Sequence, residues 1–307
     1  MFRKVIVGFD GSDRALDALL LGRKLTASDG ELIVCCVHHF HSLSARIDPT
    51  EPRIDQKSAQ AMVKKATRLL DGSLDLTTKL VAGASAAETL HRVASEEQAD
   101  LVVLGSSHRG VFGRVLIGSV TEETLHKTSR SVAVAPVGFH DHQAHNPIVR
   151  IAVGHDPVEP TRGALSAAVA LCQETGAELL LVAIAEDAVV ENPERDIMSY
   201  EALTQARLRA TAASAEEMLS SVPQSTSANS EVLDGDPAEQ LVAASENADL
   251  LVLGSHGRGF IDRLVMGSVS DRVVRAAACP VLVIAASADL TDTEQRPSST
   301  IGAGYGS

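Results

Sequence analysis

A pattern of apolar strand, glycine loop and helix occurs twice in this chain, 149 positions apart, and no other feature restricts its fold as tightly. In the second copy Leu250-Leu251-Val252-Leu253 leads into Gly254-Ser255-His256-Gly257-Arg258-Gly259, then Arg263, then Gly267-Ser268-Val269. In the first, Leu101 to Leu104 leads into Gly105-Ser106-Ser107-His108-Arg109-Gly110, then Arg114, then Gly118-Ser119-Val120. A duplication on that scale predicts tandem domains of about 150 residues, each large enough to bury a core. A purely structural turn can also be duplicated, so the repeat argues for two domains more strongly than for a ligand. With 45% hydrophobic residues, 3% aromatics and no Trp, both cores must be built from Ala, Leu, Val and Ile, the usual material of buried parallel strands.

The remaining periodicity agrees. Val5 to Phe9, Leu32 to Val37, Leu76 to Val81, Leu101 to Leu104 and Val132 to Val134 read as five strands. Between them Leu16, Leu19 and Leu20, then Ala59, Met62, Val63, Ala66 and Leu70, then Ala87, Leu90, Val93 and Ala94 mark helix faces. Pro136 to Pro147 is polar, His-rich and aperiodic, and reads as a linker. The order then recurs: strands at Ile151 to His155, Leu179 to Ile184, Val232-Leu233, Asp249 to Leu253 and Val281 to Ile284, and helices carrying Leu165, Ala168, Val169 and Cys172, then Leu203 to Leu219, then Leu241-Val242. Val269, Val273 and Ala276 mark the face of the helix after the second glycine loop. Alternating β and α elements predict an α/β fold with two tandem doubly wound parallel five-stranded sheets. The expected divisions are domain 1 at 1–138, linker 139–148, domain 2 at 149–286 and a disordered tail at 287–307.

Glycines in a loop between strand and helix let the backbone approach an anion and take positive φ. The N–H groups at the following helix start, with Ser268 or Ser119, suit phosphate oxygens. Gly-x-x-x-x-Gly-Lys-Ser/Thr is absent, which excludes a P-loop motor or kinase. Gly, two residues, Gly, nine residues, Gly-Ser resembles the nucleotide loop of the universal stress protein family, and the chain is similar to a tandem member. The resemblance implies an adenine nucleotide alpha hydrolase-like, Rossmann-like fold, with the first and fourth strands of each domain side by side. It also implies ATP, with Mg²⁺ as an accompanying ion, as the ligand. Gly8, Asp10, Gly154 and Asp156 would then meet the glycine loops, and Val37 and Ile184 would offer backbone partners to adenine. Asp10 and Asp156 have a second reading, as residues that end a strand and cap a turn. His108 replaces the second glycine of the pattern, whereas Gly257 keeps it, so the second half is expected to bind more tightly.

A net charge of −13 argues against a nucleic-acid or anionic-membrane surface. Cys35, Cys36, Cys172 and Cys279 lack CxxC spacing; three are expected in strand-like runs and one on a helix face, as buried reduced thiols. His38, His39, His41, His140, His142 and His145 fall in polar stretches and read as solvated loop residues, not metal ligands. No nucleophile with a base and no paired carboxylates emerge, so binding is favoured over catalysis, and the family resemblance implies a role in stress response or growth regulation through nucleotide occupancy. Slow ATP hydrolysis or an interaction scaffold on the same fold is the alternative. The last strand of each domain is expected at a sheet edge, where the family resemblance implies that it joins the two halves, or two chains as a homodimer. No membrane span or signal pattern is evident, and the expected location is the cytoplasm.

Overall fold

In this computed structural model residues 1–39, 75–106, 118–142, 146–156, 162–186, 197–255 and 266–285 are described, with isolated helical positions between 57 and 68. The first half runs β1 (Phe2–Gly8), α1 (Asp13–Leu25), β2 (Thr26–His39), β3 (Asp75–Gly83), α2 (Ala86–Glu96), β4 (Leu101–Gly105), α3 (Ser119–Lys127) and β5 (Ser131–Ala135). A one-turn helix, α4 (Phe139–His142), precedes the second half. That half runs β6 (Arg150–His155), α5 (Arg162–Thr175), β7 (Glu178–Ala185), α6 (Ile197–Ser220), β8 (Ala228–Asp234), α7 (Pro237–Ser245), β9 (Leu250–Gly254), α8 (Ser268–Ala276) and β10 (Val281–Ile284). Much of the expected helix around Ala59 to Leu70 and the tail expected at 287–307 lie outside the described residues.

Helix starts follow local chemistry. Ser12 caps α1 by accepting from the Ala15 N–H at 3.2 Å, Ser85 caps α2 through the Glu88 N–H at 3.3 Å, and Asp236 caps α7 through the Glu239 N–H at 2.9 Å. Strand starts are locked by one device used twice. The Asp100 carboxylate accepts the N–H groups of Arg3 and Lys4 at 3.1 and 2.9 Å, and Asp249 accepts those of Val149 and Arg150 at 2.8 and 2.9 Å. Each carboxylate thereby ties the beginning of β1 or β6 to the approach of β4 or β9.

Both halves join one ten-stranded sheet, ordered β3-β2-β1-β4-β5-β10-β9-β6-β7-β8. Every neighbouring pair is parallel except β5 with β10, which run antiparallel with Val134 opposite Val281, Ala133 opposite Leu282 and Val132 opposite Val283. Ala133 and Leu282 are equivalent under the 149-residue repeat, so a local two-fold axis passes between them. Of the two joins expected for the last strands, the structure has the one within the chain. Both flanks of β5 and of β10 are hydrogen-bonded, so neither is an edge at which a second chain could pair, and the sheet's edges are β3 and β8. Apolar packing crosses the seam too: Leu19 and Leu25 of α1, Ala133 of β5, Leu282 of β10 and Leu171 of α5 belong to one continuous buried cluster.

Several expectations are corrected around the seam. The stretch read as an aperiodic linker is docked at its start: Phe139 is 3% exposed, and the buried Asp17 of α1 accepts the N–H groups of Gly138 at 3.1 Å and His140 at 2.7 Å. His140 Nδ1 also meets Asp17 Oδ1 at 2.6 Å, so His140 is a partner of a buried carboxylate and not a solvated loop residue. A single turn has no periodicity to read, and its anchor lies more than a hundred residues earlier. Cys279, in turn, sits in the bend before β10 instead of in a strand or helix. All four cysteines are buried and free; burial raises the thiols of Cys35 and Cys279 to about 12 and those of Cys36 and Cys172 to about 11. The face assigned to α8 also differs, because Val273 and Val274 are buried while Ala276 is exposed.

Asp17→Ala leaves two backbone donors without a partner, at about 1–3 kcal/mol each. Urea unfolding of the full chain should therefore show a loss of about 2–6 kcal/mol, with faster proteolytic nicking between 136 and 147. An unchanged midpoint would show that the turn docks without the carboxylate.

Candidate functional site

The strand order reverses between β1 and β4, and again between β6 and β9, the two places where an open α/β sheet leaves a crevice beyond its strand ends. At the first of these lies a cavity of about 230 Å³. Its described lining includes Gly8, Asp10, Val37, Gly105, Ser106, Gly118, Ser119 and Val120, and so brings together residues from four separate stretches of sequence. Val37, Leu90 and Leu104 supply an apolar wall, while Asp10 and Arg14 are its charged residues. Arg14 was missed in the sequence because it stands in the first turn of α1, away from any glycine pattern.

The glycines are there mainly for close approach. A Cβ on Gly8 would lie 2.6 Å from Leu104 Cδ2, and one on Gly154 would lie 2.9 Å from Leu253 Cδ2. At Gly105 the obstacle is backbone, the Arg14 carbonyl oxygen at 2.2 Å. Gly118 has φ −64° and Gly267 φ −71°, values open to any residue, so positive φ is not their reason. Both are N-caps without a side-chain hydrogen bond, which leaves the first-turn N–H groups of α3 and α8 uncovered by a cap.

Ser106 extends β4 by one residue, its N–H donating to the Ala135 carbonyl at 2.9 Å, and Ser255 repeats this with Ile284 at 3.0 Å. Ser106 is 3% exposed and its Oγ has no hydrogen-bond partner among the described residues. Such an atom costs free energy unless a ligand or water satisfies it. Thr121 Oγ donates to the Gly105 carbonyl at 2.9 Å and fixes the start of α3 over the end of β4. Asp10 accepts from the Ser12 N–H at 3.0 Å and from its hydroxyl at 2.6 Å, the turn-capping geometry, while its position on the cavity keeps ligand contact open.

In the second half Gly154, Asp156, Ile184, Gly254, Ser255, Gly267, Ser268 and Val269 occupy the matching strand ends and helix start. His108, Arg109, Gly110 and Arg114 lie outside the described residues, as do His256, Gly257, Arg258, Gly259 and Arg263. A buried difference between the halves lies at the end of β6. His155 stands where the first half has Phe9, with its Nε2 2.9 Å from Ser214 Oγ of α6 and its Nδ1 buried without a partner among the described residues. Burial holds the ring below its ordinary pKa, against the opposing pull of Asp156. Among the described residues no cluster of His, Cys, Asp and Glu could hold a metal, and no helix is long and apolar enough to cross a membrane.

The sequence model of the Universal stress protein family matches this chain twice, over residues 1–136 and 148–285. The chain belongs to the universal stress protein family. A universal stress protein of Mycobacterium tuberculosis is 35% identical over 193 residues, 61% of this chain and 62% of that protein. The chain thus aligns with about three fifths of that relative's length. One of Mycobacterium bovis is 26% identical over 250 residues, covering 78% of this chain and 84% of its own. Among solved structures, a universal stress protein from Archaeoglobus fulgidus superimposes with a TM-score of 0.59 at 21% identity, covering 91% of this chain and 97% of its own. The fold of this chain is therefore that of the family, two Rossmann-like halves in tandem.

His155 generates a pH test. Its native pKa lies below 6.5, so the unfolded ring takes a proton first as pH falls. The stability associated with the neutral ring is complete above about 6.5 and is withdrawn as pH drops from there to the native pKa. His155→Phe, which restores the first half's residue, should remove that component. Melting curves of wild type and variant should then converge or diverge between pH 7.5 and 5; parallel curves would show no such linkage.

Proposed function

We propose that the chain binds ATP, with Mg²⁺ beside the phosphates, in the crevices at β1/β4 and β6/β9, and acts in stress response through the occupancy of these sites. The observation that carries this reading is the first cavity, where Ser106, a buried hydroxyl without a partner among the described residues, stands next to the uncapped start of α3. Phosphate oxygens supply what both lack, acceptors for N–H and O–H donors. The apolar wall of Val37 and Leu90 suits a purine face, with the backbone of Val37 and Ile184 at the adenine edge. Asp10 and Asp156 suit a ribose hydroxyl or the cation. Bound ATP would bring its own triphosphate charge, and this chain's residues would hold and orient it; any hydrolysis would follow from positioning alone. The tighter site is proposed to be the second, through Gly257.

Gly118→Ala and Gly267→Ala test the reading, because their backbone angles accept alanine and the added Cβ would stand at the helix start where the phosphates are proposed to approach. Each should cost the fold about 1 kcal/mol or less. Each should lower ATP affinity in its own half by about tenfold or more, as seen by calorimetry on the full chain. Mass spectrometry of small molecules released from the denatured wild type should find adenine nucleotide. Unchanged ATP affinity in both variants would remove the phosphate role from the glycine motif.

A further inference from the structure

The antiparallel seam places the beginning of β5 beside the ligand end of the second half. The Ala285 N–H donates to Ser131 Oγ at 3.2 Å, and one residue earlier the Ile284 carbonyl accepts from the Ser255 N–H at 3.0 Å. Ser131 is the first residue of β5, and Arg130 immediately precedes it. The other side of the local two-fold shows what stands at the equivalent place. A cavity of about 40 Å³ is lined by Ser106 of the first half together with Ala277, Ala278 and Cys279 of the second. The 149-residue repeat converts Cys279 into Arg130 and Ser106 into Ser255. Ser106 thus has Cys279 of the opposite half nearby, and the repeat assigns Arg130 to the equivalent position relative to Ser255.

The two substitutes differ in charge. The Cys279 thiol is pushed by burial to about 12 and stays neutral, donating weakly to the Pro280 carbonyl at 3.5 Å. Arg130 is always cationic, and its Nε is buried without a hydrogen-bond partner among the described residues. A guanidinium nitrogen taken out of water and left unpaired is costly, and a planar fork of donors is the group best matched to phosphate oxygens. We propose that Arg130, carried by the first half, is a binding residue of the second half's site, where it contacts the phosphates of the nucleotide held at Ser255 and Ser268. This rests on the nucleotide reading above and adds that the second site is composite: only a chain whose halves are zipped through β5 and β10 completes it. At the equivalent place the first site has the neutral Cys279, so the two sites differ there in their grip on phosphate.

The test uses the full chain, with hydrogen exchange read separately in the peptides around 118–124 and 266–272 as ATP or adenosine is added. Arg130→Ala should weaken ATP-dependent protection of 266–272 by about tenfold to hundredfold in concentration, leave 118–124 at wild-type response, and leave the adenosine response of both unchanged. Arg130→Lys, which keeps the charge without the fork, should recover part of the loss and guards against a folding artefact. Wild-type ATP response at 266–272 in Arg130→Ala would overturn the composite site and leave the nucleotide reading standing. Equal weakening at both peptides, or of adenosine as much as ATP, would also overturn it by revealing a seam defect. Absence of ATP protection at both peptides of the wild type would overturn both proposals together.

Discussion

The antiparallel pairing of β5 with β10 is the constraint on which the rest of the molecule depends. Each half alone would end its sheet on a short apolar strand, all of whose residues are buried here. A strand of that kind exposes unpaired N–H and C=O groups together with hydrophobic side chains on both faces, and water satisfies only the first. Pairing it with its own repeat answers both needs at once and moves the sheet edges to β3 and β8. Those strands carry Asp75, Thr77, Thr78 and Lys79 on one edge and Asn229, Ser230 and Glu231 on the other. Polar edges of this kind resist further strand addition.

The same pairing sets the orientation of the two crevices. Because the join is antiparallel, the carboxyl ends of the strands in one half face the direction in which the other half's strands begin. The turn before β10 consequently lies against Ser106, and the turn before β5 lies by the end of β10. Helices α3 and α8 meet near the local axis, where Arg275 reaches across to Glu122 at 3.0 Å while holding Asp271 of its own helix. Glu122 and Asp271 are repeat equivalents, so one arginine serves two copies of the same acidic position. The pair is half-exposed and contributes little to stability beside the shared apolar cluster. Its effect is on alignment.

Much of the architecture is legible without coordinates. Alternating strand and helix patterns, the duplication and the glycine loops give the fold class and the strand ends that form the cavity, because each is a local signal of period, turn chemistry or repeat. What escaped was of another kind. Asp17, Asp100 and Asp249 are buried or strand-locking carboxylates whose partners lie about a hundred residues away, and a polar residue inside an ordinary helix or turn carries no mark of such a partner. Phe139 is one aromatic in a polar run, too short to show a period. His155 and Phe9 look like an incidental difference until the structure buries both.

By itself, then, the sequence determined that this chain is a tandem pair of α/β domains with glycine-lined strand ends, since hydrophobic period and glycine placement act through nearest neighbours along the chain. Only the tertiary structure decided why those glycines are glycines. Leu104 and Leu253 fill the space a Cβ would need at Gly8 and Gly154, and the Arg14 carbonyl fills it at Gly105. It alone decided as well that the halves close on each other, which brings Cys279 to the seam beside Ser106, and that Ser106 is buried without a partner among the described residues. These outcomes depend on which surfaces meet after folding, and packing brings together residues that no local spacing relates.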